Sequence, residues 1–354
     1  MITVENLVKR FGAKLAVNDV SFTVERGEVL GFLGPNGAGK STTMRMITGF
    51  IPPTSGRITI GGHDMLEDPL PAKRLIGYLP ENAPSYADMT VHGFLKFAAE
   101  LRGLQGDARK QAVARAVELC FLQNVLYQTI DTLSKGYKHR TGLAQSLIHD
   151  PEVLIMDEPT DGLDPNQKHE VRGLIKRMGE NKAIIFSTHI LEEVEAICTR
   201  VIIIDRGRIV ANGTPEELKA RSDRAGAVLM TVRAPSAAPV TDALAKLVSV
   251  KRSEVLNQEP NRSVIRVYPD PSRADGAFTA QVTDEVLERW TIEQLRTEEG
   301  RLDDVFRALT RPDTAEASVS VADDWQGRGL GGMLLERLVT RAREEGMRRS
   351  PLCS

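Results

Sequence analysis

The stretch Gly34-Pro35-Asn36-Gly37-Ala38-Gly39-Lys40-Ser41-Thr42 constrains this chain more than any other. It spells G-x-x-x-x-G-K-S. The apolar run Val29-Leu30-Gly31-Phe32-Leu33 before it reads as a buried strand, and Thr42-Thr43-Met44-Arg45-Met46-Ile47 reads as the start of a helix. Strand, glycine-rich loop and helix in that order are the setting in which such a loop cradles phosphate. Glycines let backbone N–H groups turn inward, and the helix N-terminus adds partial positive charge. Lys40 reaches for the outer phosphates, and the Ser41 hydroxyl is placed to ligate Mg²⁺.

A second feature narrows the chemistry. Val153-Leu154-Ile155-Met156-Asp157-Glu158 is an apolar run ending in two acids, bounded by Pro151 and Pro159. It reads as a buried parallel strand. Its acids fall at the carboxyl end, where ligands bind in open α/β sheets. Asp157 can hold the Mg²⁺ shell, and Glu158 is placed to polarise an attacking water. A lone Asp-Glu after a strand more often caps the next helix.

The 354 residues leave room for two or three domains. Hydrophobic residues make up 41% and the net charge is -2, so no basic field points to nucleic acid. Apolar runs such as Val201–Ile204 are far too short to span a bilayer. The start Met1-Ile2-Thr3-Val4 lacks the pattern of a signal peptide, and a cytoplasmic location is expected. Cys120, Cys198 and Cys353 have no metal or disulfide spacing.

Periodicity divides the chain. Ile2, Val4 and Leu7, then Val20, Phe22 and Val24, alternate as in half-buried antiparallel strands. From about 89 to 148 the spacing turns helical, as in Val91, Phe94, Leu95, Ala98 and Leu101. Buried strands return at Ala183–Phe186 and Arg200–Ile204, so a parallel sheet is expected. Residues 220–312 read as a smaller unit in the order βαββαβα, which suggests a ferredoxin-like arrangement.

Four further motifs complete a pattern. They are Leu133-Ser134-Lys135-Gly136-Tyr137 before a helix beginning near Lys138, Asp161-Gly162-Leu163-Asp164, Ser187-Thr188-His189, and the aromatic Phe11 ahead of the loop. In this order and spacing, residues 1–220 resemble an ATP-binding cassette (ABC) ATPase. Pro80-Glu81-Asn82, Leu133-Ser134-Lys135-Gly136-Tyr137 and Asp161-Gly162-Leu163-Asp164-Pro165-Asn166-Gln167 are similar to ABC-2-type exporter subunits of the gliding-motility-like branch, and Leu302-Asp303-Asp304-Val305-Phe306 resembles their C-terminal segment. The expected fold is α/β: a P-loop NTPase cassette of antiparallel β subdomain, parallel α/β core and helical subdomain, with a small α+β accessory domain at 221–312.

The resemblance implies specific roles. Phe11 stacks on adenine, although an apolar residue closing a strand looks the same. Gly34, Pro35, Asn36, Gly37, Ala38, Gly39, Lys40, Ser41 and Thr42 hold the phosphates. Ser134, Gly136 and Tyr137 face the γ-phosphate of an ATP bound to a second cassette, most simply an identical chain. Ser134 would serve equally as a plain helix cap. His189 contacts the γ-phosphate and orients water. Asp164 signals across the dimer, or caps the helix that Pro165 begins. Ser41, Glu81 and Asp157 hold Mg²⁺. A separate multi-span membrane permease is the implied partner, with the chain peripheral on the inner face of the cell membrane.

This sequence departs from that family at two places. Glu81 stands where Gln is usual, so it is either a metal-shell carboxylate or a surface residue. Lys135 and Tyr137 stand where Gly and Gln are usual, while Ser134 and Gly136 remain. Hydrolysis is expected to survive. A soluble ABC protein acting on ribosomes or DNA is the alternative reading, but such chains usually carry two cassettes or long coiled coils.

The last stretch, 313–354, changes character. Gln326-x-x-Gly329-x-Gly331 resembles the coenzyme A pyrophosphate loop of GNAT-type N-acetyltransferases over about residues 317–349. One strand and one helix are too little to enclose acetyl-CoA, so a fragment is expected rather than an acetyltransferase.

Overall fold

The computed structural model describes residues 1–310 apart from 83–85 and 273–275. The GNAT-like stretch read from the sequence lies outside the described residues.

The chain runs β1 (Ile2–Phe11), β2 (Lys14–Val24), β3 (Val29–Leu33), α1 (Lys40–Ile47), β4 (Ser55–Ile60), β5 (His63–Asp64), α2 (Pro69–Arg74) and β6 (Ile76–Leu79). Three helices follow, α3 (Val91–Leu101), α4 (Gly106–Leu119) and α5 (Lys135–Leu147). The sheet pattern then returns with β7 (Val153–Asp157), α6 (Pro165–Gly179), β8 (Ala183–Thr188), α7 (Leu191–Ile197), β9 (Arg200–Asp205), β10 (Arg208–Gly213) and α8 (Pro215–Lys219).

Two sheets result. One is antiparallel, in the order β2-β1-β4-β5, and the other has the order β10-β9-β3-β8-β7-β6. In the second, β6, β7, β8, β3 and β9 are parallel and only β10 is antiparallel. Parallel strands covered on both faces need apolar residues at every position. Strand β7 meets that demand: Val153 and Ile155 feed one core, and Leu154 and Met156 the opposite one. The first core lies between the sheets, where Ile2, Val4, Val20, Phe22, Phe32, Met44 and Ile185 meet. The second lies against the three helices, where Phe94, Leu95, Leu143, Leu147 and Phe186 meet. Phe32 and Phe186 are fully buried. Burying each contributes about 1.5–3 kcal/mol.

The central strands also aim the chemistry. Leu33 is in register with Thr188, and Asp157 with Ser187. The carboxyl ends of β3, β7 and β8 therefore come together at one edge. Helix α1 begins at Lys40, two residues earlier than the periodicity suggests, because Gly39 takes the left-handed conformation (φ 107°) that starts it. Helix α5 begins at Lys135 rather than near 138, because Ser134 caps it.

Residues beyond α8 form β11 (Val228–Arg233), α9 (Ala238–Leu244), β12 (Val250–Glu259), β13 (Arg262–Pro269), α10 (Phe278–Leu287), β14 (Thr291–Thr297) and α11 (Leu302–Leu309). Their sheet has the order β12-β13-β11-β14 and every pair is antiparallel. That is the strand order of the ferredoxin-like βαββαβ arrangement. Helices α9 and α10 cover one face through Val240, Leu244, Phe278, Val282 and Val286. Charged pairs sit elsewhere on these strands: Arg233 and Arg262 on Glu293, and Arg266 on Glu298.

Helix α11 returns to the first part of the chain. Leu302 is fully buried in a cluster with Leu33, Val194, Val201, Ile203, Ala211 and Leu218, and Phe306 packs against it. Just before it, a Cβ on Gly300 would lie 1.9 Å from the Lys219 carbonyl oxygen, so glycine is needed for the approach. Among the described residues no helix is long and apolar enough to cross a membrane.

Candidate active site

The hairpin joining β1 to β2 turns at Gly12 (φ 55°), which makes Phe11 and Lys14 cross-strand partners at its tip. The tip reaches the phosphate loop. A Cβ on Gly39 would lie 2.6 Å from the Ala16 carbonyl oxygen, and Gly39 already has φ 107°. No other residue type meets both conditions without strain. Gly34 is equally confined, with the Ile204 carbonyl oxygen 2.4 Å from where its Cβ would stand. Ala38 is buried, and its carbonyl oxygen accepts from Gly207 N at 2.9 Å.

These elements enclose a cavity of about 400 Å³. Its lining includes Phe11, Pro35, Asn36, Gly37, Gly39, Lys40, Ser41, Thr42, Glu81 and Glu158 from the sequence reading. Gly34 and Ala38 shape the loop from behind. Lys14 and Ala16 also line it, and the sequence reading missed both. Their only sequence signal was closeness to Phe11 on a strand pattern. A larger cavity of about 740 Å³ lies by α3 and α4, lined by His92, Lys96, Arg109 and Tyr127 among others. It holds none of the motif residues, so convergent polar chemistry assigns the site to the smaller one.

Charge is concentrated at one end. Lys40 is buried, with its Nζ donating to the Gly34 carbonyl oxygen at 2.7 Å and lying 3.9 Å from Glu158 Oε1. Burial pushes its pKa below the usual lysine value, against the opposing pull of Glu158, Asp157 and Glu81. Asp157 is buried at the end of β7 and accepts from the Ser187 hydroxyl. Ser187 Oγ in turn accepts from Glu158 N at 3.2 Å. Ser187 thus spaces the two acids, a role its place in Ser187-Thr188-His189 did not reveal. Glu158 sits at φ 51°, uncommon for a non-glycine residue and frequent at functional turns. Burial holds its carboxyl above the usual glutamate range, although the hydrogen bond to His189 and the charges of His189 and Lys40 pull the other way. His189 Nδ1 is 3.0 Å from Glu158 Oε2.

The remaining motif residues do not line the cavity. Ser134 caps α5, its Oγ accepting from Tyr137 N at 3.4 Å. Tyr137 packs against the helical core. Asp164 caps α6 in a full capping box, with Gln167 N donating to Asp164 Oδ1 at 2.9 Å. A Cβ on Gly136 would fall 2.7 Å from Gln167 Oε1, the oxygen that closes that box. Lys135 donates to Asp161 at 2.7 Å. These residues gather at the starts of α5 and α6, with Ser134 and Asp164 exposed and Gly136 buried between them.

A parallel sheet, a glycine loop feeding a helix and paired acids at the carboxyl end of another strand of that sheet define a P-loop nucleotide-hydrolysing cassette. Residues 17–161 match the ABC transporter family, and residues 248–352 match the acetyltransferase (GNAT) family. The chain is 41% identical over 223 residues to the linearmycin resistance ATP-binding protein LnrL of Bacillus subtilis, covering 62% of this chain and 71% of that one. It is 35% identical over 279 residues to the Nod factor export ATP-binding protein I of Burkholderia orbicola, covering 78% and 90%. Among solved structures, an ATP binding subunit of an ABC transporter superposes with TM-score 0.58 at 31% identity, over 62% of this chain and 92% of that one. A dimeric ATP-binding cassette bound to ADP and Pi has the same fold, with TM-score 0.57 at 21% identity over 60% of this chain and 98% of that one. This chain belongs to the ABC transporter ATP-binding proteins, and it is an ATPase of that family.

The acetyltransferase match is longer than the stretch that carries the loop motif. It begins at residue 248, well ahead of the loop motif, and takes in β12, β13, α10, β14 and α11. A single short motif could not reveal likeness spread over strands. The match leaves out β11, the strand that pairs with both β13 and β14.

Proposed function

We propose that this chain is the ATP-hydrolysing subunit of an exporter. It rests on the cytoplasmic face of the membrane against a separate multi-span permease, and two copies close around two ATP molecules. The observation that carries this reading is the division of the site. The phosphate loop, Glu158 and Glu81 line a cavity, while Ser134, Gly136 and Asp164 cluster outside its lining. A second copy can bring its cluster to the open side. Relatives named for linearmycin resistance and for Nod factor export support the transport direction. Residues 1–220 are read as the cassette, 221–312 as the accessory domain and 313–354 as a GNAT-like fragment. Acetyl-CoA binding is not part of this reading, because β12, β13 and β14 already belong with β11 to the sheet of the accessory domain.

In this reading Phe11, half exposed at the hairpin tip, stacks on adenine. Backbone N–H groups from Gly37 to Thr42 and the Lys40 ammonium hold the phosphates. Among the described residues no group of three or more His, Cys, Asp or Glu side chains could hold a metal alone. That suits Mg²⁺, which takes one or two protein ligands plus phosphates and water. Ser41, Asp157 and Glu81 supply hard oxygen donors for it, and the bound ion would neutralise phosphate charge. Glu158 accepts a proton as water attacks the γ-phosphorus. The bond to the β–γ bridging oxygen breaks, giving ADP and inorganic phosphate. His189 holds the Glu158 carboxylate and faces the γ-phosphate.

The test is a tagged pull-down of the Glu158→Gln chain from detergent-solubilised membranes with ATP. Recovery of a multi-span protein in stoichiometric amount is the expected result. Recovery only from the soluble fraction, with ribosomes, DNA or nothing, would put the soluble ABC reading in its place.

A further inference from the structure

Among the described residues, one carboxylate away from the cavity lining is withdrawn entirely from solvent. Glu193 on α7 is 0% exposed. An ionised carboxylate in an interior is costly unless donors surround it. Three donors do so here, each from a different element. The Thr160 hydroxyl donates to Glu193 Oε1, Arg172 on α6 donates to the same oxygen at 3.3 Å, and the Thr188 hydroxyl donates to Oε2 at 3.0 Å.

Two of these donors flank the reacting pair. Thr160 lies two residues after Glu158, in a turn closed by Asp161 N donating to the Glu158 carbonyl oxygen at 3.1 Å. Thr188 immediately precedes His189, and its hydroxyl accepts from Ile190 N at 3.1 Å, closing a turn across the histidine. Glu193 therefore clamps both turns through its two oxygens. The 3.0 Å approach of His189 to Glu158 spans the gap between those turns. Glu158 also holds a left-handed backbone that its surroundings must impose.

We propose that Glu193 is a positioning residue for ATP hydrolysis, joining the Glu158 turn and the His189 turn into one rigid unit through Thr160 and Thr188. The inference rests on the reading of Glu158 and His189 given under Proposed function. Glu193 does not line the nucleotide cavity. Its contribution is to kcat through geometry, since a displacement of about 1 Å can cost on the order of 100-fold in rate.

The experiment measures kcat, KM for MgATP and thermal midpoint for the full chain and four variants: Glu158→Gln, Glu193→Gln, Thr188→Val and Thr188→Ser. Glu193→Gln is expected to lower kcat on the order of 10–100-fold with KM within about threefold. Thr188→Val should do the same, and Thr188→Ser, which keeps the hydroxyl, should recover most of the rate. Should Glu193→Gln fail to fold, the Thr188 pair decides alone. Normal kcat in Glu193→Gln beside a dead Glu158→Gln overturns this inference and leaves the catalytic reading standing. Equal losses of kcat and affinity together with a lowered midpoint, or no rescue by Thr188→Ser, mean that Glu193 only holds the fold. Near-normal turnover in Glu158→Gln removes the underlying reading itself.

Discussion

Three helix starts near the site are finished in three different ways. Helix α1 begins at Gly39 with no side-chain cap. Helix α5 is capped by Ser134 through a long bond of 3.4 Å. Helix α6 is closed by the reciprocal Asp164–Gln167 box. The first four N–H groups of a helix lack internal partners. At α1 they face a cavity and stay available to an anion. At α5 one of them is occupied loosely by its own serine, so a phosphate arriving from outside can displace that bond. At α6 two of them, Asp164 N and Gln167 N, are held within the box itself. On the reading proposed above, the gradation separates a seat built for nucleotide, a seat that a partner's nucleotide would complete, and a helix end that serves the fold.

Substitutions can break that ordering. The largest effect belongs to the acid beside the α1 seat. Glu158→Gln should lower kcat by on the order of 10²–10⁴, the usual contribution of a positioned base. Equilibrium ATP binding to the same variant should be unchanged, and loss of both would place Glu158 in the seat rather than in the chemistry. Lys40→Ala should weaken ATP affinity on the order of 100-fold, since charge-assisted bonds contribute about 1.5–3 kcal/mol. Titration of the full chain with a fluorescent nucleotide reads this directly.

Ser134→Ala sharpens the contrast. It should lower kcat roughly tenfold, about one charge-assisted hydrogen bond at the transition state, while leaving nucleotide affinity of the dilute chain intact. Weakened binding at low protein concentration would mean that the α5 seat serves its own chain. Asp164→Ala should cost about 1 kcal/mol of stability, typical of a lost cap, visible as a lower denaturant midpoint. A drop in kcat with no change in stability would give Asp164 a signalling role instead.

The smallest effect is on pH dependence. Burial holds the Glu158 carboxyl above the ordinary glutamate range. Turnover needs the ionised form, so kcat should fall as pH is lowered through that raised value. An acid limb at the position of an exposed carboxylate would show that bound nucleotide removes the burial effect.

The comparison also explains what could be read before the structure. The α1 seat was legible because its parts are neighbours in sequence: strand, glycines, lysine and helix start lie within Val29–Ile47. The acidic strand was legible because two-sided burial leaves an unbroken apolar run. Lys14 and Ala16 escaped notice, because only the register of β1 on β2 and the close approach at Gly39 bring them to the loop. Ser187 and Glu193 escaped for the same reason. Ser187 meets Asp157 30 residues away, and Glu193 meets Thr160 33 residues away. Motif spacing says nothing about such pairs. Asp164 was readable either as a cap or as a signal, and only the observed bonds reveal the box.

The seam at α11 has a consequence for how such a gene can be divided. A protein ending near residue 220 would keep every group that lines the nucleotide cavity. It would also bare the apolar socket that Leu302 fills among Leu33, Val194, Val201 and Leu218. Such a patch invites self-association. The piece that looks self-sufficient by motif is therefore not the piece that stays dispersed, and a workable cut falls after Leu309, where the plug travels with its socket.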